Sequence, residues 1–267
     1  MEYLGLSIRR ACYLVDLSRA TYDYHPAKDK DDVVRLRLRE VAEQRRRFGC
    51  PRLHVMLKRE GLVINHKRTE RIYREENLSL RLKKRKKKTA MLRIKLPEPE
   101  RANQRWSMDF VSDSTCTGRR FRALTIVDDF SRECPAIEVD SSIGGVRVVS
   151  ILERLSETRG LPEVITVDNG PEFIGKALDE WAYKNGVKLN FIRPGKPVEN
   201  AYIESFIGKL RDECLNENWF ITLRDAREAI EAWRIDYNDV RPHSSLGYLS
   251  PMEFVNSTGK ILIHSGL

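Results

Sequence analysis

The second half of the sequence predicts an α/β fold, a mixed sheet with helices on both faces, and the first half predicts an all-α region. Three observations carry this. Five short apolar or alternating runs, "RWSMDFVSD", "FRALTIVDDFS", "PAIEVD", "PEVITVD" and "VKLNFI", are bounded by turn residues and read as strands. The first three follow one another closely, whereas the later ones alternate with helical segments, the mark of a mixed sheet. Before about residue 100 the periodic segments are all helical.

Taken in order, residues 5–25 read as two short helices, broken at Val15, Asp16 and Leu17, with Ser18 as the N-cap of the second. Residues 31–48 make a long arginine-rich helix on Val33, Val34, Leu36, Leu38 and Val41, closed by Gly49 and Pro51. "PRLHVMLKREG" makes a helix stopped by Gly61, and "NHKRTERIYREENL" makes another with Asn65 as its cap. Two helices joined by a tight glycine turn, the second one basic, read as a helix-turn-helix. Residues 144–159, "EFIGKALDEWAYKNG", "VENAYIESFIGKLRDECL" and "LRDAREAIEAWRIDYN" are the helices of the second half. The expected organisation is a helical DNA-binding region over 1–80, a basic and proline-containing linker over 81–100, and a core with a C-terminal helical extension over 101–267.

Charge divides the chain at the same place. Net charge is +9 over 267 residues, yet residues 1–100 hold 27 Lys and Arg against 14 Asp and Glu, while the remainder is slightly acidic. Seven of the eight residues from Arg81 to Lys88 are cationic. Such a block repels itself and seeks a polyanion, so Lys83, Lys84, Arg85, Lys86, Lys87 and Lys88 are candidate DNA contacts. No apolar run approaches the roughly 20 residues that span a bilayer, and no signal-peptide pattern opens the chain, so a cytoplasmic protein with no membrane partner is expected. Five scattered cysteines without a C-x-x-C pair argue against a disulfide framework or a structural zinc.

Three acids stand out. Asp109 interrupts the first strand, Asp168 ends the fourth directly before the turn pair Asn169-Gly170, and Glu204 lies near the start of a long helix. On that helix Ile203, Ile207, Leu210 and Cys214 form the buried stripe; Glu204 stands roughly 90° from its centre, with Gly208 and Arg211 within about 40° of Glu204. Singly, each acid has an ordinary structural explanation. Together, at 58 and 35 intervening residues, they suit phosphodiester chemistry. Two Mg²⁺ ions about 3.5–4 Å apart stabilise attacking and leaving oxygens. Carboxylates without neighbouring His or Cys favour Mg²⁺ or Mn²⁺ over Zn²⁺.

The strings "WSMDFVSD", "TIVDDFSRE", "TVDNGPEF", "GKPVENAYIESFIGKLRDECLN" and "DYNDVRPHSSLGYLSP", with "FGCPRLHVMLKREG" upstream, resemble the insertion-sequence transposases encoded by a second overlapping reading frame, members of the DDE integrase superfamily. The resemblance covers about residues 5–256. It implies a ribonuclease-H-like fold with a mixed five-stranded sheet, and metal-dependent cleavage and strand transfer at insertion-sequence ends. It implies Asp109, Asp168 and Glu204 as catalytic residues and ligands of two Mg²⁺ or Mn²⁺ ions, and Lys209 and Arg211 as DNA contacts. Implied partners are the terminal inverted repeats and target DNA, further copies of the chain on DNA, and the product of the upstream reading frame. Arg241 and His243 belong to a matching Y-N-x-x-R-P-H string whose role the sequence leaves open. Two other readings compete: a captured transposase serving as a non-catalytic DNA-binding regulator, and a ribonuclease of the same fold acting on RNA–DNA hybrids.

Overall fold

The computed structural model describes residues 5–24, 31–81, 97–193 and 200–264. Five strands, β1 (Arg105–Ser114), β2 (Arg120–Asp128), β3 (Ala136–Asp140), β4 (Val164–Val167) and β5 (Lys188–Phe191), form one sheet in the order β3-β2-β1-β4-β5. The first three pair antiparallel, and β4 and β5 run parallel to β1. The parallel strands require crossovers, supplied by α6 (Gly145–Arg159) and α7 (Lys176–Asn185). Gly160 at φ 85° and Gly186 at φ 68° end these two helices in conformations that side chains rarely adopt.

Strand alternation divides the core between the two faces of the sheet. On one face Trp106, Met108, Leu124, Ile126 and Ile165 pack under α6 and α7. On the other, Val111, Ala123, Val127 and Val139 pack under α8 (Ala201–Glu213) and α9 (Leu223–Asp239) through Ile203, Phe206, Leu210, Ile230 and Tyr237. The sheet is therefore sandwiched between helices, as the strand pattern predicts.

The N-terminal region holds α1 (Ile8–Leu14), α2 (Arg19–Tyr22), α3 (Asp32–Gln44), α4 (Cys50–Arg59) and α5 (His66–Glu75). Ser18 and Asn65 cap their helices with side-chain oxygens, as expected. Helices α3 to α5 share a core of Val34, Leu38, Leu53, Leu57 and Ile72. Two helices are shorter than the periodicity predicts. α3 stops at Gln44 rather than near residue 48, because Phe48 folds back to bond the Arg45 carbonyl at 2.8 Å and enter that core. α7 starts at Lys176 rather than Glu172, because the Gly170 carbonyl accepts from Phe173 and Ile174 at 2.9 and 3.0 Å and bends the chain first.

Arginines fasten this helical unit to the far half of the chain. Arg52 donates to Glu213 at 2.8 Å, Arg47 to Glu217 at 2.7 Å, and Arg45 to Asp236. Arg59 bonds Glu253, at the start of α10 (Pro251–His264), at 2.5 Å and the Val240 carbonyl at 2.7 Å. Glu213 is the most enclosed of these acids, its side chain 9% exposed, and it also receives the buried Arg241 through two bonds of 2.6 and 2.5 Å. A carboxylate clamped between two guanidiniums is costly to remove, since both cations are left without it. Glu213→Gln is expected to lower the unfolding free energy by about 3 kcal/mol in urea titrations followed by circular dichroism. Arg47→Gln, at an exposed pair, is expected to cost less than about 1 kcal/mol.

Candidate active site

Asp109 sits in the middle of the central strand, facing Thr125 across the β1–β2 ladder. Residues 107, 109 and 111 point the same way, and Val111 packs under α8, so the Asp109 carboxylate emerges on the α8 side of the sheet. Its Oδ1 accepts from the Phe110 amide at 2.6 Å, and the Thr125 hydroxyl holds the Asp109 carbonyl at 2.9 Å. No Lys, Arg or His of the described residues forms an ion pair with it. Burial first, and then the charges of Asp168 and Glu204, push its pKa up to about 6, while the Phe110 amide and the more distant Arg122 act against the rise. The three acids expected from the sequence are thus electrostatic neighbours.

Asp168 follows β4, the parallel neighbour of β1, so the two carboxylates leave adjacent strands. The turn fixes it closely. Gly170 donates its amide to Asp168 Oδ1 at 3.0 Å, and Asn169 donates its side-chain amide to the Ile192 carbonyl at 2.8 Å. A Cβ on Gly170 would lie 2.9 Å from Asp168 Oδ1 and 3.2 Å from Glu172 Oε2, which explains the glycine. Glu172 is a fourth acid at this edge, but Arg122 pairs with it, and that bond outweighs burial to hold its pKa below the usual range. Arg122 in turn lies 4.2 Å over the Phe110 ring.

Glu204 lies on the first turn of α8, exposed to solvent. Among the described residues, no three His, Cys, Asp or Glu side chains converge closely enough to hold a metal ion. The acids share one edge of the sheet, with Glu204 standing off on its helix. Asn200, at the N-cap of α8, is a residue that sequence reasoning does not single out. It is 3% exposed, donates its side-chain amide to the Met108 carbonyl at 3.4 Å, and leaves its Oδ1 without a partner. It therefore ties the start of α8 to the backbone beside Asp109. Its one legible signal is that of a cap-forming residue ahead of a helix, but it spends its side chain on β1 instead.

The remaining expectations separate. Arg211 is exposed and forms no hydrogen bond or ion pair among the described residues. Lys209 turns elsewhere, about 140° around the helix from Glu204, where its ammonium bonds the Ser205 hydroxyl at 2.9 Å. Lys83, Lys84, Arg85, Lys86, Lys87 and Lys88 lie outside the described residues. Asp128 and Asp129 are structural. Asp128 accepts amides of Asn103, Phe130 and Ser131, and Asp129 holds Arg105 and the Ser107 hydroxyl. In the Y-N-x-x-R-P-H string, Asn238 bonds both the amide and the carbonyl of Cys134 at 2.9 Å, and Arg241 grips Glu213. That string joins α9 to the sheet and to α8.

Comparison with known proteins decides the family. Two models described as integrase core domain match residues 99–197 and 185–251, and a model described as HTH-like domain matches residues 28–88. The Insertion element IS407 uncharacterized 31.7 kDa protein of Burkholderia multivorans is 50% identical over 95% of this chain and 92% of its own length. The chain belongs to the insertion-sequence transposases of the DDE integrase superfamily. The Insertion element IS476 uncharacterized 39.2 kDa protein of Xanthomonas euvesicatoria is 44% identical over 95% of this transposase and 74% of its own length. The putative transposase InsK for insertion sequence element IS150 of Escherichia coli is 25% identical over 91% of each. In fold, the transposase is similar to a chain of the simian T-cell lymphotropic virus intasome in complex with PP2A regulatory subunit B56 gamma, with a TM-score of 0.54, 14% identity, and 82% and 74% of the two chains covered. The ribonuclease-H-like expectation holds. No helix among the described residues is long and apolar enough to cross a membrane.

The crowding at Gly170 makes a prediction. Gly170→Ala keeps an ordinary backbone but forces the Asp168 carboxylate aside. Where Asp168 serves the chemistry, this is expected to cut the reaction rate roughly ten- to hundredfold, as displacements near 1 Å do at catalytic groups. Thermal stability should change little, and the two together distinguish misplacement from unfolding.

Proposed function

We propose that this chain performs metal-dependent DNA strand cleavage and strand transfer at insertion-sequence ends, with Asp109, Asp168 and Glu204 as the catalytic carboxylates. The observation that carries the reading is Asp109 itself: a half-buried acid on the central strand, beside two further acids, with no cation paired to it among the described residues. A carboxylate in that setting calls for a positive charge that the described residues do not supply. An all-oxygen donor set fits Mg²⁺ or Mn²⁺, and the unpartnered Oδ1 of Asn200 adds a polar atom at the same edge. Two such ions held there would supply the positive charge that the attacking and leaving oxygens of a phosphodiester call for.

The residues divide the work. The Phe110 and Gly170 amides fix the Asp109 and Asp168 carboxylates before substrate arrives. Glu204, exposed on one turn of helix, has the rotamer freedom to swing in and complete the set. Arg211, on the same face of α8 and without an ion-pair partner among the described residues, is placed to meet a DNA phosphate. Lys83 to Lys88 provide further phosphate contacts between the helix-turn-helix and the core. The partners in this reading are the terminal repeats, target DNA, additional copies of the chain on that DNA, and the upstream reading-frame product. A purely DNA-binding regulator has no use for a half-buried acid without a paired cation, raised to about 6 by burial and by the charges of two further acids.

The test is a nicking and strand-transfer assay on labelled duplex carrying the element's terminal repeat, with Mg²⁺ or Mn²⁺, with and without the upstream-frame protein. A metal-dependent 3′ nick at the repeat boundary is expected. Asp109→Asn should abolish it while leaving DNA affinity within about twofold, because one ligand charge is removed at constant volume. Near wild-type cutting by that variant would remove Asp109 from the chemistry, and a hybrid cut in preference to duplex DNA would favour a ribonuclease.

A further inference from the structure

A second site lies away from the carboxylates. At the seam between the helix-turn-helix unit and the far half of the chain is a cavity of about 690 Å³. Arg52 and the start of α4 form one wall; Lys209 of α8, Arg132, and Arg241 with His243 of the R-P-H string form the others. Among the described residues that line it, none is an Asp or Glu. Four basic side chains therefore meet in a space without an acid.

Their existing partners do not neutralise them. Arg52 and Arg241 share the single carboxylate of Glu213, which stands behind the cavity wall. Arg132 donates to the Asp129 backbone carbonyl and lies 4.0 Å over the Tyr202 ring, and Lys209 bonds only the carbonyl and hydroxyl of Ser205 on its own helix. Neither has a carboxylate within 4.0 Å among the described residues. His243 supplies an independent sign. It is 4% exposed, and its Nε2 has no hydrogen-bond partner. Burial, then the neighbouring cations, push the imidazole down to about 3 and the Lys209 ammonium down to about 8. Arg132 is held at φ 62°, a backbone region that a residue with a side chain occupies only under constraint. Enclosed like charges, an orphaned ring nitrogen and a strained arginine together describe a site shaped for an anion that carries several acceptor oxygens.

We propose that this cavity binds a phosphodiester of the DNA backbone, on the strand that runs between the helix-turn-helix and the catalytic carboxylates. The inference rests on the DNA reading above and gives it a second anchoring point. Guanidiniums match phosphate oxygens geometrically, and the phosphate charge also allows His243 to carry a proton on Nε2 and donate it. A backbone phosphate fits better than a free phosphorylated molecule, because the walls come from both units and a strand followed from one unit to the other crosses this seam. A phosphate held there would also fix the two units relative to each other.

The experiment measures equilibrium binding of the full chain to terminal-repeat duplex across a range of salt concentrations. Wild type is compared with Lys209→Gln, Arg132→Gln, the double variant and Lys209→Arg. The double neutralisation is expected to reduce the slope of log affinity against log salt by up to about 1, the value for one phosphate no longer neutralised, each single glutamine variant by a fraction of that, and Lys209→Arg should keep the wild-type slope. Unchanged slopes in the glutamine variants would overturn the proposal. So would saturation of the cavity by inorganic phosphate in calorimetry, abolished in the double variant while DNA binding stays the same, which would mark a free phosphorylated ligand. Lys209→Gln decides alone if Arg132→Gln fails to fold, since Lys209 bonds only its own helical turn. Cleavage is run on the same preparations. Reduced slopes without wild-type cleavage leave the phosphate site standing and sink the catalytic reading, whereas normal cleavage with unchanged slopes sinks the site alone.

Discussion

Everything at the candidate active site depends on one unfavourable placement, a carboxylate on the central strand with no cation beside it among the described residues. Antiparallel pairing on one side and parallel pairing on the other put β1 in the middle of the sheet. Alternation then aims Asp109 at α8. The parallel neighbour ends in Asp168, and the first turn of α8 carries Glu204. Burial and mutual repulsion oppose ionisation of Asp109, and a protein that needed only stability would place a threonine or valine there. The local structure relieves this tension only in part, through the Phe110 amide and the charge of Arg122. It also holds the acid in place, through the Phe110 amide and the Thr125 hydroxyl.

The same economy of charge governs the seam. Arginines from α4 and from the turn before it reach acids on α8, α9 and α10, and Glu213 serves two cations at once. Positive charge is in excess at the seam cavity, where Lys209 and Arg132 have no carboxylate partner among the described residues, whereas negative charge is in excess at the sheet edge. A polyanion carrying divalent cations would neutralise both. This links the basic first half of the sequence to the acidic triad of the second without requiring direct contact between them.

Much of this is legible in the sequence, and the rest is not, for physical reasons. Strand alternation and helical period mark the five strands and the two-sided packing, and the 58- and 35-residue intervals mark the acids. Ser18 and Asn65 announce helix starts because caps are local. The start of α7 is misplaced because Phe173 and Ile174 continue the apolar run into the helix, whereas the Gly170 turn bends them first and the extended Gly175 is the N-cap. Arg122 with Glu172, Arg241 with Glu213, and Asn200 with the Met108 carbonyl join residues far apart in the chain, and neither period nor spacing records such pairs. The family resemblance groups Lys209 with Arg211, but helix geometry sends Lys209 to the seam cavity.

The central claim, that Asp109 waits for a divalent cation, is tested most directly by thermal melting of wild type and Asp109→Asn between pH 4 and 8, with and without Mn²⁺. Because folding raises the Asp109 pKa to about 6 from an ordinary 3.8, the stability linked to its protonated form is complete below about 3.8 and is lost as pH rises through about 6. Without metal, Asp109→Asn should therefore gain on wild type as pH climbs across that window, by at most about 2 kcal/mol after allowance for solvent screening at a partly exposed acid. Mn²⁺ should close the gap by stabilising wild type selectively. A gap that does not change with pH, or equal stabilisation of both proteins by Mn²⁺, would contradict the account.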